Sequence, residues 1–135
     1  MKTIAKIIAL HGGLAALRED YIRIENEPFM RLVIEHVGEG LSGKPLISVA
    51  HYGELNGDAM RDPDMTFEIA EIDGVTNFHP ITYQNDYLGV YQEAVWVSDG
   101  KLLARPRLIR ELASFARQWD RNIKEQGFLE ADQRQ

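Results

Sequence analysis

Apolar and polar positions along this chain follow two periods. Near its start Ile4, Ile7, Ile8 and His11 recur at helical spacing behind Thr3, a candidate N-cap, and Leu14 and Leu17 continue the face beyond Gly12 and Gly13. This pattern predicts an N-terminal helix over residues 1–18, broken or bent at the glycine pair. From Tyr21 the period becomes two: Ile22 and Ile24 alternate with Arg23 and Glu25, and Asn26-Glu27-Pro28 turns the chain. The next strand, Phe29 to Val37, sets Met30, Leu32, Ile34 and His36 on one face and Arg31, Val33 and Glu35 on the other. A glycine-rich connection, Gly38 to Pro45, leads to a strand over Leu46 to Tyr52 in which Ile47, Val49 and His51 share a face.

The register of these two strands can be checked within the sequence. Antiparallel pairing that sets Ile34 opposite Val49 also sets His36 opposite Ile47 and Leu32 opposite His51, all on one side of the sheet. Beyond a polar loop, Met65 to Ile72, Phe78 to Gln84 and Leu88 to Val97 read as further strands, separated by Asp73-Gly74 and Asn85-Asp86. The connections are short, which favours an antiparallel meander of five or six strands over residues 20–97. Pro106 then suits a first helical turn, and Leu108, Ile109, Leu112, Phe115, Ala116, Trp119 and Ile123 hold helical spacing until Gly127 supplies a stop, giving a long C-terminal helix over 106–126. Its apolar face fits over the row Ile22, Leu32, Ile34 and Val49. The expected fold class is α+β: one domain, residues 1–135, with the meander sheet packed on the N-terminal and C-terminal helices. The polar residues 129–135 read as a frayed tail.

Composition narrows the setting. A chain of 135 residues is enough for one core. Without cysteine there is no disulfide, thiolate metal site or cysteine nucleophile, which suits a cytoplasmic protein. The apolar run near the start is too short and interrupted for a signal peptide or a membrane span, so no membrane is expected. The net charge of −6 is unevenly spread: residues 19–100 carry four basic groups against sixteen acidic ones, whereas residues 101–125 have a net charge of +4. The acidic middle repels phosphate backbones and attracts basic surfaces.

Candidate chemistry concentrates between His51 and Asp64. Glu54, Asp58, Arg61, Asp62 and Asp64, with Asp86 in a later turn, form a candidate partner-binding surface. His51, Asp58, Asp62 and Asp64 are hard donors suited to magnesium, manganese or calcium, with Arg61 placed to stabilise negative charge, although their spacing matches neither a calcium loop nor a two-histidine helix motif. The plainer alternative is a turn held by Asx hydrogen bonds and an Arg61 ion pair. His51 as a general base would need one of these aspartates to orient it; otherwise it is, like His36, a neutral histidine of the core or its rim, and His36, His79 and His11 are weaker catalytic candidates than His51. On the C-terminal helix Arg107, Arg110, Arg117, Arg121 and Lys124 fall within an arc of about 100°, a basic ridge that meets phosphates or an acidic patch unless it is an ordinary solvated face. Tyr21 and Tyr91 share a sheet face with Arg23 and Glu93, a mixture suited to protein contacts and equally to cross-strand pairs.

Several blocks also carry a resemblance: Leu32 to His36; His51 to Glu54 with Asn56, Gly57 and Asp58; Arg61 to Met65 with Phe67 and Glu68; Asn85 to Glu93; and Phe115 to Trp119 with Asn122 and Gln126 to Phe128. On these the chain resembles an uncharacterised family, a domain of unknown function, of short bacterial, plasmid and phage proteins. The family transfers no catalytic role; it implies a setting, that of a mobile element. The leading reading is a non-enzymatic acidic interaction protein of such an element that binds a basic protein surface, for example as an inhibitor of a host defence complex of the CRISPR or restriction type. It needs no cofactor and allows a homodimer. The alternatives are a metal-dependent hydrolase or nuclease using the 51–64 loop and, third, a nucleic-acid module using the basic ridge.

Overall fold

The computed structural model describes residues 1–135. Two short helices, α1 (Lys2–Leu10) and α2 (Gly13–Glu19), precede six strands, β1 (Ile22–Asn26), β2 (Phe29–Glu39), β3 (Pro45–Leu55), β4 (Asp58–Ile72), β5 (Val75–Asn85) and β6 (Val90–Glu93). A small hairpin follows, β7 (Val95–Ser98) and β8 (Lys101–Ala104), and then α3 (Pro106–Glu125) and α4 (Phe128–Asp132). The six strands pair antiparallel in chain order, so the fold is mixed α+β with a meander sheet. None of its helices is long and apolar enough to cross a membrane.

The sheet curls into a half-barrel instead of lying flat. Its ladders slip at Ile24/Asn26, His36/Gly38, Ala50/Tyr52 and Thr66/Phe67, and each irregularity bends the strand and increases its twist. Between these slips the register follows the apolar pattern: Leu32 faces His51, Ile34 faces Val49 and His36 faces Ile47. The inward residues of β1 to β4 join Leu112, Ala116, Trp119 and Ile123 of α3 and Ile4, Ile7 and Ile8 of α1 in one core of 20 buried side chains. Full burial of each large aliphatic contributes about 1.5–3 kcal/mol, so this shared core holds the helices to the sheet.

The break expected at Gly12 and Gly13 divides the N-terminal helix in two: both glycines take positive φ, and a Cβ on Gly12 would sit 2.9 Å from that of Ala16. Three expectations are corrected. Thr3 is no cap: it lies inside α1, and its N–H is satisfied from α3. The polar stretch after Tyr52 is not a loop, since β3 and β4 run on as the arms of a hairpin turned by Asn56 and Gly57, both with positive φ, the geometry two-residue hairpin turns require. The tail is docked. Phe128 and Ala131 of α4 are buried in the core, and the Gln135 side chain accepts from the Glu25 N–H and donates to the Glu25 carbonyl at the free edge of β1.

Candidate interaction surface

Residues that alternate with the core positions form a sheet face turned away from the helices. Register carries two rows across it. Glu35, Ser48, Thr66, Thr82 and Glu93 face one another across β2 to β6, and Arg23, Val33, Ala50, Asp64, Gln84 and Tyr91 form the next row, across all six strands. Towards one end, Leu46, Glu68 and His79 align; towards the other, Arg31, Tyr52 and Arg61. The middle is close-packed, with Ser48 and Ala50 buried and the Thr66 and Thr82 hydroxyls hydrogen-bonded across the β4–β5 ladder.

Asp64 sits near the centre of this face. Ser48 Oγ donates to its Oδ1 at 2.6 Å. Burial raises the Asp64 carboxyl above its ordinary value, against the Ser48 hydrogen bond and the Arg61 charge, which both favour the anion. Tyr52 and Tyr91 are likewise pushed up, first by burial and then by the acids nearby, Asp64 and Glu35 for one and Glu93 for the other. Arg61 is tied down: Asp86 Oδ2 accepts both its backbone N–H and its Nε–H at 2.9 Å, and the Asp86 N–H donates to the Arg61 carbonyl. Those bonds hold the Asp86 carboxyl below the usual carboxylate range, the backbone N–H of Arg61 contributing most. This is the Arg61 ion pair of the plainer sequence reading, formed with the turn after β5.

The six candidate partner residues do not share one surface. Glu54, Arg61 and Asp64 lie on the open face by register, with Asp86 bonded to Arg61, while Asp58 falls on the opposite side at the hairpin tip. Asp62 accepts from Asn85 Nδ2 at 2.7 Å and lies near enough to His51 to favour its protonation. His51 itself is buried with its ring between Trp119 and Phe128, at centroid distances of 5.7 and 5.3 Å. Its Nδ1–H donates to the Met30 carbonyl at 3.0 Å, and burial lowers its pKa from the ordinary value. The expected orienting aspartate is replaced by a backbone oxygen, and His51 serves as a core residue. No three His, Asp or Glu side chains gather into a group that could hold a metal ion, so His51, Asp58, Asp62 and Asp64 do not form the donor set their sequence proximity suggested.

Other candidates stand where the pattern put them. Arg107, Arg110, Arg117, Arg121 and Lys124 are all exposed along α3, and Arg23, Tyr91 and Glu93 share the open face. The sequence reading missed the rows themselves. Their signal was the polar alternation of β2 and β3 recurring in Asp64, Thr66 and Glu68 and in Thr82 and Gln84.

The chain belongs to the family described as Domain of unknown function (DUF6908), whose model matches residues 2–129. No curated protein and no solved structure matches it.

Proposed function

We propose that this member of the DUF6908 family is a non-enzymatic interaction protein whose open sheet face binds a basic surface on another protein. The observation that supports the reading is the state of the charges there. Each arginine of the face is engaged locally: Arg23 with Glu25 at 2.6 Å, Arg61 with Asp86 at 2.9 Å, and Arg31 over the Tyr52 ring at 5.3 Å. Glu35, Glu54 and Glu93 make no ion pair, while Glu68 of the same face is buried. Unneutralised carboxylates on a rigid sheet set up a negative potential that steers a basic partner and fixes its orientation, an effect screened beyond about 8 Å at physiological salt. Tyr91, on the same face and more than half exposed, supplies aromatic contact area.

The partner we infer is a nucleic-acid-binding surface, because such surfaces present the clustered cations this face complements. Inhibition of a host defence effector in the cytoplasm, by occupying its nucleic-acid site, is the finer form of this proposal and rests on the resemblance to mobile-element proteins. Affinity capture from host lysate tests the reading. Wild-type protein is expected to retain a specific partner that is lost at high salt and lost with the triple reversal Glu35→Lys, Glu54→Lys and Glu93→Lys. Capture that is equal for wild type and the triple variant, or no capture at all, rejects it.

A further inference from the structure

We infer that a second, oppositely charged site lies on the helix side: a groove between α1, α3 and the β4–β5 turn that binds the phosphate backbone of nucleic acid. Its volume is about 530 Å³, and its charged lining is Lys2 and Lys6 from α1 and Arg117 from α3, with no carboxylate. Ala5, Ala113 and Ala116 keep the groove open between the two helices, and Thr76 and Asn77 add polar groups at its end. Asp73, in that turn, and Glu71, on β4 beside it, do not line the groove, although Glu71 lines a neighbouring recess that shares Ala5 and Thr76 with it. Asp120 of α3 is buried and does not line the groove, and its two oxygens accept the Thr3 and Ile4 N–H groups.

The groove continues a longer cationic track. Arg110, Arg117, Arg121 and Lys124 are exposed along α3, and Arg107 stands at its start; Arg107 to Lys124 span about 25 Å of helix. In a chain with 21 acidic and 15 basic residues, ion-pair partners for these cations are abundant, yet of the α1 lysines and the ridge only Arg107 has one, Glu111. A track of cations from two elements, all but Arg107 without an ion pair and with no carboxylate lining the groove between them, complements a phosphodiester chain: side chains along the ridge and on both groove walls reach successive phosphates without reading bases. Arg117 belongs to both the ridge and the groove and is the central contact.

Fluorescence anisotropy with a short labelled DNA duplex and its separate single strand tests this. About four neutralised phosphates predict an affinity that falls about a hundredfold between about 50 and 200 mM salt. The double variant Lys6→Glu with Arg117→Glu, checked for folding by circular dichroism, is expected to lower affinity and to reduce the salt slope by about two. Arg117→Lys is expected to keep most of the binding, and Arg31→Glu on the opposite sheet face to leave the salt slope unchanged. No binding at low salt, or affinity unchanged in the folded double variant, overturns the inference. Polyglutamate binding with the same affinity and salt slope also overturns it, in favour of an acidic protein as occupant. The sheet-face variants used for partner capture leave this groove intact, so either site can fail without the other.

Discussion

Asp120 stands 117 positions along the chain from Thr3 and accepts its backbone N–H at 3.0 Å, while its second oxygen accepts the Ile4 N–H at 3.1 Å. A carboxylate on α3 therefore caps α1, whose own sequence supplies no side-chain cap, and locks the two helices together inside the core. Asp120→Ala leaves two buried N–H groups unpaired and is expected to destabilise the fold by about 1–3 kcal/mol. Asp120→Asn keeps one acceptor and costs less. Urea denaturation gives both values, and a wild-type midpoint for Asp120→Ala would remove the cap from the account.

His51 sets a pH dependence. Its pKa is lowered on folding, so below the ordinary value of 6.5 the unfolded chain takes up a proton that the folded core resists. The fold is thus stable above that value and loses stability as pH falls through it, by at most about 1.4 kcal/mol per pH unit from this group. His51→Gln, which can still donate to the Met30 carbonyl, is expected to flatten the change in urea midpoint between about pH 7.5 and about pH 5.5. Equal slopes for wild type and variant would show that His51 does not titrate against burial.

Asp64 works with the opposite sign. Its folded pKa is raised, so its stabilising contribution is complete below the ordinary 3.8 and is lost as pH rises through the folded value; at neutral pH the half-buried anion costs stability. Asp64→Asn, still able to accept from Ser48, is expected to raise the thermal midpoint at neutral pH, to lose that gain in strong acid, and to weaken partner binding. A gain in stability at the expense of binding is the signature of a group kept for function. A variant that is less stable at neutral pH would contradict it.

The free edge of β1 is closed by a side chain. The Gln135 amide exchanges two hydrogen bonds with the Glu25 backbone, as a neighbouring strand would. Gln135→Ala is expected to leave global stability within about 0.5 kcal/mol, as for an exposed substitution, while the Glu25 amide exchanges faster. Unchanged exchange at Glu25 would mean that the edge is not protected in this way.

These relationships differ in how far the sequence reveals them. The pairing of Leu32 with His51 and Ile34 with Val49 was legible because each strand alternates apolar and polar residues and only one register buries both apolar sets. The 106–126 helix was legible from its amphipathic period. The hairpin around Asn56 and Gly57 was hidden because its arms run beyond the core and lose the apolar alternation, although Asn-Gly is itself a turn signal. The β7–β8 hairpin is hidden for a similar reason: Val95 to Val97 continue the apolar run that starts at Leu88, and only Asp99-Gly100 marks its turn. Residues 129–135 read as frayed because most of them are polar, and the helix that docks them is anchored by Phe128, just before them, and by Ala131. Of the candidate site, the chemistry of single residues could be read but not their assembly. His51 and Asp64 lie close in sequence, yet strand alternation and the irregularity between Ala50 and Tyr52 send one to the core and the other to the open face.

The central claim is that the open sheet face is the contact surface, and side-chain chemical-shift mapping on titration with the captured partner tests it most directly. Shifts are expected to concentrate at Glu35, Tyr52, Asp64, Gln84, Tyr91 and Glu93 and to be abolished by Glu35→Lys with Glu93→Lys. Shifts confined to α3 or to the Asn56–Gly57 tip, with the sheet face silent, would contradict it.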